Sequence, residues 1–555
     1  MESVLSLGMR ARRRLPSLRA LALLAAALIA APLLSVAANV FSPGTAGTWQ
    51  HLLVTVLPDY VVATLWLCAG VGVGVAALGV GAAWLVTRYE FPGRASFEWA
   101  LLLPLAMPAY VMAYAYTDLL QFVGPVQSWL RETFGWRRGD YWFPDVRSLG
   151  GAVAMFALVL YPYVYMLART AFLERAGGMI EVGRTLGLSP LAAFWRLSLP
   201  LARPAIAGGV ALALMETLAD YGTVSYFAVQ TFTTGIYRAW FSLGDRTAAA
   251  QLAMVLLGFV VLVLVLERLS RGGSRFDDRT LRSRGVVRVR LTGLRGAAAL
   301  LACALPLLGG FLLPASVMLH MALTEGDAQW GPRFVALAGN SVLVAGTTAL
   351  LATVLALLIA YAARVDRGAA AQWAHRVAGL GYALPGSVIA VGVLIPVTQL
   401  DHALAALLRG AGIEAGLLLT GSIAALVYAC VVRYLTAALQ AMDAGLARIT
   451  PRMEQAARML GHTPAQTLWR VHLPLLRGSA LTAALLVFID VMKELPATLV
   501  MRPFNFDTLA TQAYTLASDE RLAEASTSAL AIVVVGLLPM VVLCRQIVRG
   551  GSTKS

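Results

Sequence analysis

The sequence EVGRTLGLSPLAAFWRLSLP, residues 181–200, is polar and has the spacing of short helices, although strongly apolar stretches lie on both sides of it. Residues 455–474, QAARMLGHTPAQTLWRVHLP, repeat it with the glycine, two prolines, the tryptophan and an arginine at a constant offset of 274 (461 − 187). Self-similarity at a fixed spacing is the signature of a repeated structural unit. The chain is therefore predicted to consist of two related halves.

Each copy is predicted to form a helix, a tight turn and a second short helix. Gly187 and Gly461 suit the left-handed conformation in which many helices end. Two residues further on, a serine or threonine precedes Pro190 or Pro464. This pair places a capping hydroxyl before a proline at the first helical position.

The second helix of the first copy has a small apolar face. Leu191, Phe194 and Trp195 fall at positions i, i+3 and i+4 of an otherwise basic segment. Such a helix outside a membrane favours a groove on a partner protein, and the alternative is an interfacial helix that lies on lipid. The recurrence of the pattern in both copies favours the partner protein.

The pattern of Glu or Gln, Gly and Leu-Pro resembles the EAA coupling loop of permease subunits in ATP-binding-cassette importers. The resemblance implies that each loop docks into a cleft on a separate ATPase subunit, of which two copies are expected. Val182-Gly183 stands where the family usually has two alanines, and Gln455 stands where it usually has glutamate, with Glu454 immediately before it. The predicted ATPase-coupling residues are Glu181, Gly187, Pro190, Trp195, Pro200, Gln455, Gly461, Pro464, Trp469 and Pro474.

The composition is that of a polytopic membrane protein surrounded by a lipid bilayer. Of the 555 residues, 59% are hydrophobic and 13% are charged, and the mean hydropathy is +0.74. The net charge of +15 comes almost wholly from arginines in loops, which the positive-inside rule explains without a nucleic-acid partner. The four cysteines are scattered through apolar segments without CxxC spacing, so neither a disulfide framework nor a metal site is expected.

Windows of about 20 apolar residues predict twelve transmembrane helices in an all-α fold. The first follows an arginine-rich start, and the length of its apolar run favours an uncleaved helix over a signal peptide. The predicted spans lie near residues 20–40, 60–87, 97–121, 149–172, 205–227, 248–267, 297–320, 335–362, 377–398, 416–438, 479–500 and 526–547.

Six spans in each half give both halves the same orientation, so the repeat is predicted to be parallel. The linker, residues 268–295, holds nine arginines, which places it, both chain ends and both repeated loops in the cytoplasm. One loop departs from the rule, because residues 123–147 carry four arginines although they are predicted to lie outside.

The predicted organisation separates the first helix of each half from the rest of that half. The segments are 1–59 (cytoplasmic start, first helix and outer loop), 60–267 (first permease domain), 268–295 (linker), 296–334 (helix and outer loop), 335–547 (second permease domain) and 548–555 (cytoplasmic tail).

The helix after each loop carries ionisable residues within an apolar stretch. At the same offset, Glu216 matches Asp490 and Asp220 matches Glu494. Intramembrane carboxylates usually face a bundle interior or a water-filled path, and the i, i+4 spacing is expected to place each pair on one helix face. Four acids would then ring a passage or gate suited to a cation, with Lys493 neutralising part of the charge. The alternative is that Glu216 and Asp490 only tie helices together.

The sequence contains neither an ATPase motif nor that of a common hydrolase. Neither Lys493 nor Lys554 stands in Gly-x-x-x-x-Gly-Lys-Ser/Thr, and HExxH and GxSxG are also missing from the sequence. The chain is therefore expected to be a transport subunit and not an enzyme. It is expected to bind no cofactor, while ATP and Mg²⁺ bind to the partner ATPase.

Further stretches resemble the ferric iron permeases, one branch of these importers. The resemblance implies a type I importer (MetI-like) permease fold in each half, a periplasmic binding protein that delivers ferric iron, and a multi-pass position in a bacterial inner membrane. The stretches are PAYVMAYAYTD (108–118), ETLADYGTVSY (216–226), TFTTGIY (231–237), DVMKELPAT (490–498), RPFNFDTLAT (502–511) and ASDER (517–521).

Three alternatives remain at the level of sequence. Related fused permeases move thiamine, polyamines or other small solutes through the same architecture. A proton-coupled secondary transporter would use the four intramembrane acids but leaves the paired loops unexplained. A membrane-embedded enzyme lacks a recognisable nucleophile, metal site or acid/base constellation in the sequence.

Overall fold

The computed structural model describes most of the chain, and helices dominate it. Most of the predicted linker, the start of the predicted N-terminal segment and the end of the predicted tail lie outside the described residues. The described residues are 16–39, 46–185, 187–271, 288–324, 331–366, 368–381, 384–413 and 416–552.

The helices of the two halves follow one another in similar order. The first half contains Pro16–Asn39, Ala46–Thr55, Leu57–Arg88, Arg94–Ala100, Ala109–Leu120, Pro125–Phe134, Leu149–Thr185, Pro190–Ala193, Leu199–Ala219, Gly222–Tyr226, Phe232–Tyr237 and Arg246–Arg271. The second half contains Gly293–Leu307, Leu313–Thr324, Pro332–Val365, Ala369–Ala378, Gly386–Gly410, Ala424–Ala447, Pro451–Met459, Pro464–Thr467, Leu473–Met492, Pro496–Met501, Leu509–Ser518 and Leu522–Ser552.

Short segments of other geometry connect some of these helices. A 3-10 turn occupies Leu103–Ala106. The strands Tyr89–Glu90 and Val289–Arg290 pair in parallel. Single π-helical turns occupy Phe194–Ser198, Arg238–Ser242, Leu308–Leu312 and Leu468–His472.

The predicted helical membrane architecture is confirmed. Within the described residues, ten helices are long and apolar enough to cross a membrane. The bent pair Arg94–Ala106 and Ala109–Phe134 covers the third predicted span, and the shorter apolar helix Leu522–Leu538 covers the twelfth. These elements together account for the twelve predicted spans.

The third predicted span is not one continuous helix, because it bends by 92° between residues 106 and 109. Met107 has an extended backbone with ψ of 117°, and Pro108 follows it with ψ of 140°. A proline disfavours the helical conformation of the residue before it and cannot donate a backbone hydrogen bond. The chain therefore stops one helix and starts another in a new direction.

Two compact units divide the described residues, and each combines segments from both halves of the sequence. One unit combines the helix Pro16–Asn39 with Ala239–Met254 and Val335–Thr511. The other combines Ala46–Arg238 with Val255–Phe334 and the residues from Gln512 onward. The first helix of the chain therefore belongs to the unit that contains most of the second half.

Small residues allow that first helix to pack closely. It lies against the helices Ala369–Ala378 and Gly386–Gly410. The Gly392 backbone approaches the Pro32 carbonyl so closely that a side chain there would clash with it. The Tyr428 hydroxyl also donates a hydrogen bond to the Leu28 carbonyl. Close backbone approach at small residues is the usual way in which membrane helices associate.

Glycines also allow close packing in the other unit. Gly310, in the first membrane helix of the second half, faces the Leu158 carbonyl with no room for a side chain. The neighbouring Gly309 carbonyl accepts a hydrogen bond of 2.6 Å from the Tyr116 hydroxyl. Gly536, in the last helix, lies against the Ala106 backbone. These contacts hold segments from both halves of the sequence in one unit.

Candidate functional site

The first repeated loop, residues 181–200, has the predicted helix, turn and helix. Glu181 lies in the long helix Leu149–Thr185, and Gly187 has the left-handed φ of +77° with open space around its α-carbon. The Ser189 hydroxyl accepts a hydrogen bond from the Ala192 backbone, 3.2 Å away, and so caps the short helix that starts at Pro190.

The second loop, residues 455–474, repeats this backbone. Gln455 lies in the helix Pro451–Met459, and Gly461 has φ of +80°. Thr463 and Gln466 exchange hydrogen bonds of 2.9 and 3.3 Å between the side chain of each and the backbone of the other. This reciprocal capping starts the short helix Pro464–Thr467.

Each loop continues into its membrane helix through a π-helical turn, which the sequence analysis did not anticipate. The turn occupies Phe194–Ser198 in the first loop and Leu468–His472 in the second. Pro200 and Pro474 follow it at exposed positions in the first turn of the next helix. Because each proline lacks a backbone donor, it suits such a junction.

Apolar side chains on both loops are open to solvent. Trp195 is 60% exposed and Trp469 is 68% exposed. Leu191 in the first loop is 69% exposed, while Met459 and Leu460 in the second are 90% and 78% exposed. Exposed apolar surface of this kind, rimmed by polar residues, marks a place where a partner binds.

Aromatic rings hold the first loop on its unit. Phe194 lies 4.8 Å from Trp84 and 6.5 Å from Phe172, measured between ring centroids. Trp84 and Phe172 themselves meet edge to face at 5.4 Å. Tilted and edge-to-face rings at these separations attract one another beyond their apolar contact. Phe194 therefore anchors the loop, and its neighbour Trp195 is exposed.

Charged groups hold the second loop. Glu454 accepts a hydrogen bond from the Arg364 guanidinium, which also donates to the Leu446 and Ile449 carbonyls. The fully buried His472 places its Nε2 3.4 Å from the Glu454 carboxylate. Arg364 lies in the last turn of the membrane helix Pro332–Val365, so this cluster joins the helix Pro451–Met459 to that membrane helix. The sequence alone shows Glu454 only as the residue beside Gln455.

A second contact joins a short helix to a membrane helix in each half. In the first half, Glu98 of Arg94–Ala100 pairs with Arg169. In the second half, His375 of Ala369–Ala378 lies 2.9 Å from the carboxylate of Asp443, which stands 274 residues after Arg169. The hydrogen bond that His375 donates to the Asp443 carboxylate raises the pKa of His375 above its ordinary value.

The predicted i, i+4 face of acids is wrong for the second acid of each pair. The helices end at Ala219 and Met492, so Asp220 and Glu494 lie beyond them. Each carboxylate instead accepts backbone hydrogen bonds at the start of the next short helix. The donor to Asp220 is Thr223 N at 2.8 Å, with Val224 N at 3.3 Å, and the donor to Glu494 is Ala497 N at 2.7 Å. These caps explain why the chain leaves the helix at both places.

The acids of the second half are paired with cations. Lys493 Nζ lies 2.9 Å from Asp490, as the sequence suggested. The buried Glu494 accepts hydrogen bonds from Arg433, at 3.1 Å, and from the Tyr434 hydroxyl, at 3.0 Å. Their charge is thus largely neutralised, which favours the helix-tying role for Asp490.

The acids of the first half have different surroundings. The three hydrogen bonds to the Asp220 carboxylate come from neutral donors, two backbone amides and the Thr223 hydroxyl. Glu216, half-buried one turn earlier, has no hydrogen-bond or ion-pair partner among the residues that the structure describes. The negative charge in the first half is therefore less compensated than that in the second.

Arginines of the loop 123–147 are held by local contacts. Arg147 makes two hydrogen bonds to the Glu520 carboxylate, at 2.8 and 2.9 Å, and one to the Tyr226 hydroxyl, at 3.1 Å. These bonds hold the pKa of Glu520 below its ordinary value. Arg131 donates to the Phe122 carbonyl and lies over the ring of the same residue. Such pairing accounts for arginines in a loop predicted to lie outside.

The fold and the two loops define a membrane permease. The sequence matches the family described as "Binding-protein-dependent transport system inner membrane component" over residues 75–272 and again over 352–549. The chain belongs to this family and contains its domain twice. It is a multi-pass inner-membrane protein of the ATP-binding-cassette importer class.

Particular relatives are similar over different lengths. The Fe(3+)-transport system permease protein FbpB 2 of Haemophilus influenzae is 27% identical over 86% of this chain and 88% of its own length. The putative ferric transport system permease protein FbpB 1 of that organism is 23% identical over 87% of this chain and 77% of its own length. The molybdenum transport system permease protein ModB of Escherichia coli is 27% identical over 35% of this chain and 86% of its own length.

Proposed function

We propose that this chain is the transmembrane subunit through which ferric iron enters the cell. A periplasmic binding protein delivers the substrate to the outer face, and ATP hydrolysis on a separate subunit drives its passage. Both halves of the transmembrane pathway are supplied by one chain, because the permease domain occurs in it twice.

The two exposed loops carry this proposal. Each presents an exposed tryptophan and a left-handed glycine turn, and the two loops share the same backbone pattern. Two docking loops require two ATPase subunits. Since the sequence has no Gly-x-x-x-x-Gly-Lys-Ser/Thr, ATP and Mg²⁺ bind on those subunits, and this chain needs no cofactor of its own.

The coupling roles predicted for both loops follow from the same surfaces. Trp195 and Trp469 provide the apolar contact, while Gly187 and Gly461 set the bend. Pro190 and Pro464 start the docking helices, and Pro200 and Pro474 start the membrane helices that move with them. Glu181 and Gln455 lie on the helices that lead into the two turns.

Ferric iron is favoured as the substrate by the long matches to ferric permeases, together with the uncompensated acids of the first half. A hard trivalent cation is attracted to carboxylate oxygens. The shorter match to a molybdenum permease supports a second candidate, a small oxyanion. The paired acids Asp490 and Glu494 are compatible with either substrate, because their charge is already balanced.

The test is uptake of radiolabelled ferric iron into proteoliposomes that contain this chain, its co-purifying ATPase and the matching binding protein. Uptake that needs both ATP and the loaded binding protein supports the proposal. If molybdate is taken up instead under the same conditions, the importer mechanism stands and the substrate is wrong. If a pH gradient alone drives uptake without an ATPase, the chain is a secondary transporter and the proposal fails.

A further inference from the structure

Three hydroxyl groups meet in the unit that contains the first loop, just beyond the end of the helix Leu199–Ala219. The Ser225 and Tyr514 hydroxyl oxygens are 3.0 Å apart, and the Tyr514 hydroxyl lies 3.4 Å from that of Tyr221. All three residues are half-buried. We call Tyr221, Ser225 and Tyr514 the hydroxyl cluster.

Packing fixes the positions of these hydroxyls. The Tyr221 ring stacks on Tyr237 with centroids 3.7 Å apart. Ser225 lies on the short helix Gly222–Tyr226, whose start is capped by the Asp220 carboxylate. These contacts place the cluster next to Asp220, whose hydrogen-bond donors are all neutral.

A second observation points to a ligand. The Tyr114 side chain is completely buried, and its hydroxyl has no hydrogen-bond partner among the described residues. It packs edge to face on Tyr226 at 4.8 Å and lies close enough to Tyr514 and Asp220 to interact with both electrostatically. A buried hydroxyl without a partner is costly, and an incoming polar group would satisfy it.

The location suits the entry of a substrate. The membrane helix Leu199–Ala219 begins at the coupling loop, which is predicted to be cytoplasmic, so the cluster lies at the end predicted to face outside. Phenol, hydroxyl and carboxylate groups provide only oxygen ligands, which suit hard cations. Among the described residues there is no group of three His, Cys, Asp or Glu that could hold a metal.

We propose that the hydroxyl cluster is the first binding site for ferric iron on its way through this chain. This inference rests on the proposed function. Binding forms coordinate bonds from the Tyr221 and Tyr514 oxygens to the metal and releases both phenolic protons to water. Metal binding at such ligands is therefore favoured by higher pH. Asp220 and Glu216 then provide the next negative charge inward.

The test uses the purified complex of this chain with its ATPase, in lipid nanodiscs, titrated with ferric nitrilotriacetate. Ferric phenolate complexes absorb visible light through charge transfer from ligand to metal, so binding by tyrosine has its own signature. We expect this band in the wild-type protein. Tyr514→Phe is expected to weaken the band, because only the Tyr221 phenolate remains, and to weaken binding about tenfold, which corresponds to one missing strong ligand.

Two further variants separate the site from general damage. Ser225→Ala keeps both phenols, so the band should persist while binding weakens by a smaller factor. Tyr116→Phe is the matched control. Tyr116 lies on the same helix as Tyr114, but its hydroxyl donates a hydrogen bond to the Gly309 carbonyl and is not part of the cluster. This variant should leave the band and the affinity unchanged. Monodispersity and retention of the ATPase establish that each variant is folded.

The outcomes distinguish a failure of the proposed binding site from a failure of the proposed function. No band in the wild type, or an equal band in Tyr514→Phe, overturns the site, and ATP-driven iron uptake by the same proteins in proteoliposomes then shows that the proposed function survives. If the wild type neither binds nor transports iron but responds to molybdate, both proposals fail together.

Discussion

The two repeated loops, residues 181–200 and 455–474, have the same backbone but are held by different contacts. Phe194 lies among aromatic rings in the first loop, whereas Glu454 is bonded to Arg364 beside His472 in the second. The offset of 274 places Leu468 opposite Phe194 and Ser198 opposite His472, so each loop lacks the anchor of the other. The repeat therefore preserves the turn and the docking surface and leaves the attachment free to diverge.

The two kinds of anchor predict different losses of stability when the anchoring residue of each loop is replaced. Removing an apolar anchor costs packing energy that hardly depends on salt or pH. Removing one member of a largely buried charged cluster leaves its partners without compensation, which costs more. The shared turns should be equally sensitive in both loops, while the anchors should not.

The largest effect is expected from changing both turns at once. Gly187→Glu with Gly461→Glu should allow insertion in the membrane but abolish ATPase binding and ATP-driven uptake. A side chain at left-handed φ costs about 1–2 kcal/mol per site, and each new carboxylate stands within the exposed docking surface. Gly135→Glu is the matched control, because Gly135 also has a left-handed φ, of +66°, and open space, but lies in the loop predicted outside. Normal ATPase binding by the double variant would contradict the docking role.

The next largest effect is expected from the ionic anchor. Glu454→Gln should lower the stability of the detergent-solubilised protein by about 2 kcal/mol, since it removes a charge-assisted hydrogen bond. Thermal unfolding and ATP-driven uptake measure the effect. Glu520→Gln makes the same change in the more exposed pair with Arg147 and should cost less than about 1 kcal/mol. Equal losses of stability in the two variants would show that burial of the Glu454 cluster adds nothing to the strength of its contacts.

A smaller effect is expected from the aromatic anchor. Phe194→Leu gives the first loop the residue that the second has at this position, and should cost about 1 kcal/mol through loss of ring contacts. Trp195→Leu should leave the stability unchanged and reduce the affinity for the ATPase, because the Trp195 ring is exposed. If Trp195→Leu destabilises the protein more than Phe194→Leu, the assignment of anchor and docking residue is reversed.

The smallest effect is expected in the pH dependence of stability, to which the His375–Asp443 contact of the second half contributes. Asp443 raises the pKa of His375 in the folded state. The contact therefore stabilises the folded protein fully when the pH is below the unfolded-state pKa of His375, which is about 6.5. Its contribution is lost as pH rises through the higher folded pKa. His375→Gln should remove this slope from thermal unfolding curves. A slope that persists in His375→Gln would contradict the assignment.

Local signals made the loops predictable. The left-handed glycines and the Ser-Pro and Thr-Pro pairs determine the turn from a few adjacent residues, and the structure shows the predicted turns. Apolar windows likewise predicted the spans, although Pro108 breaks the third. The family assignment predicted from the paired loops is confirmed by the two domain matches.

Long-range contacts could not be read from the sequence in this way. Arg364 and Glu454 are 90 residues apart, and Tyr514 meets Ser225 across 289 residues. Asp220 and Glu494 were expected on helix faces because their spacing fits a helix, yet capping of the following helix ends the span before them. The exchange of the first helix between units depends on close approach at positions such as Gly392, which no local pattern marks.

The most direct test of the central claim is the number of ATPase subunits bound to one chain, measured by native mass spectrometry of the purified complex. The account predicts two for the wild type, one for Gly187→Glu or Gly461→Glu alone, and none for the double variant. A wild-type complex with a single ATPase, or two ATPases retained by the double variant, would contradict the claim that both repeated loops are docking sites.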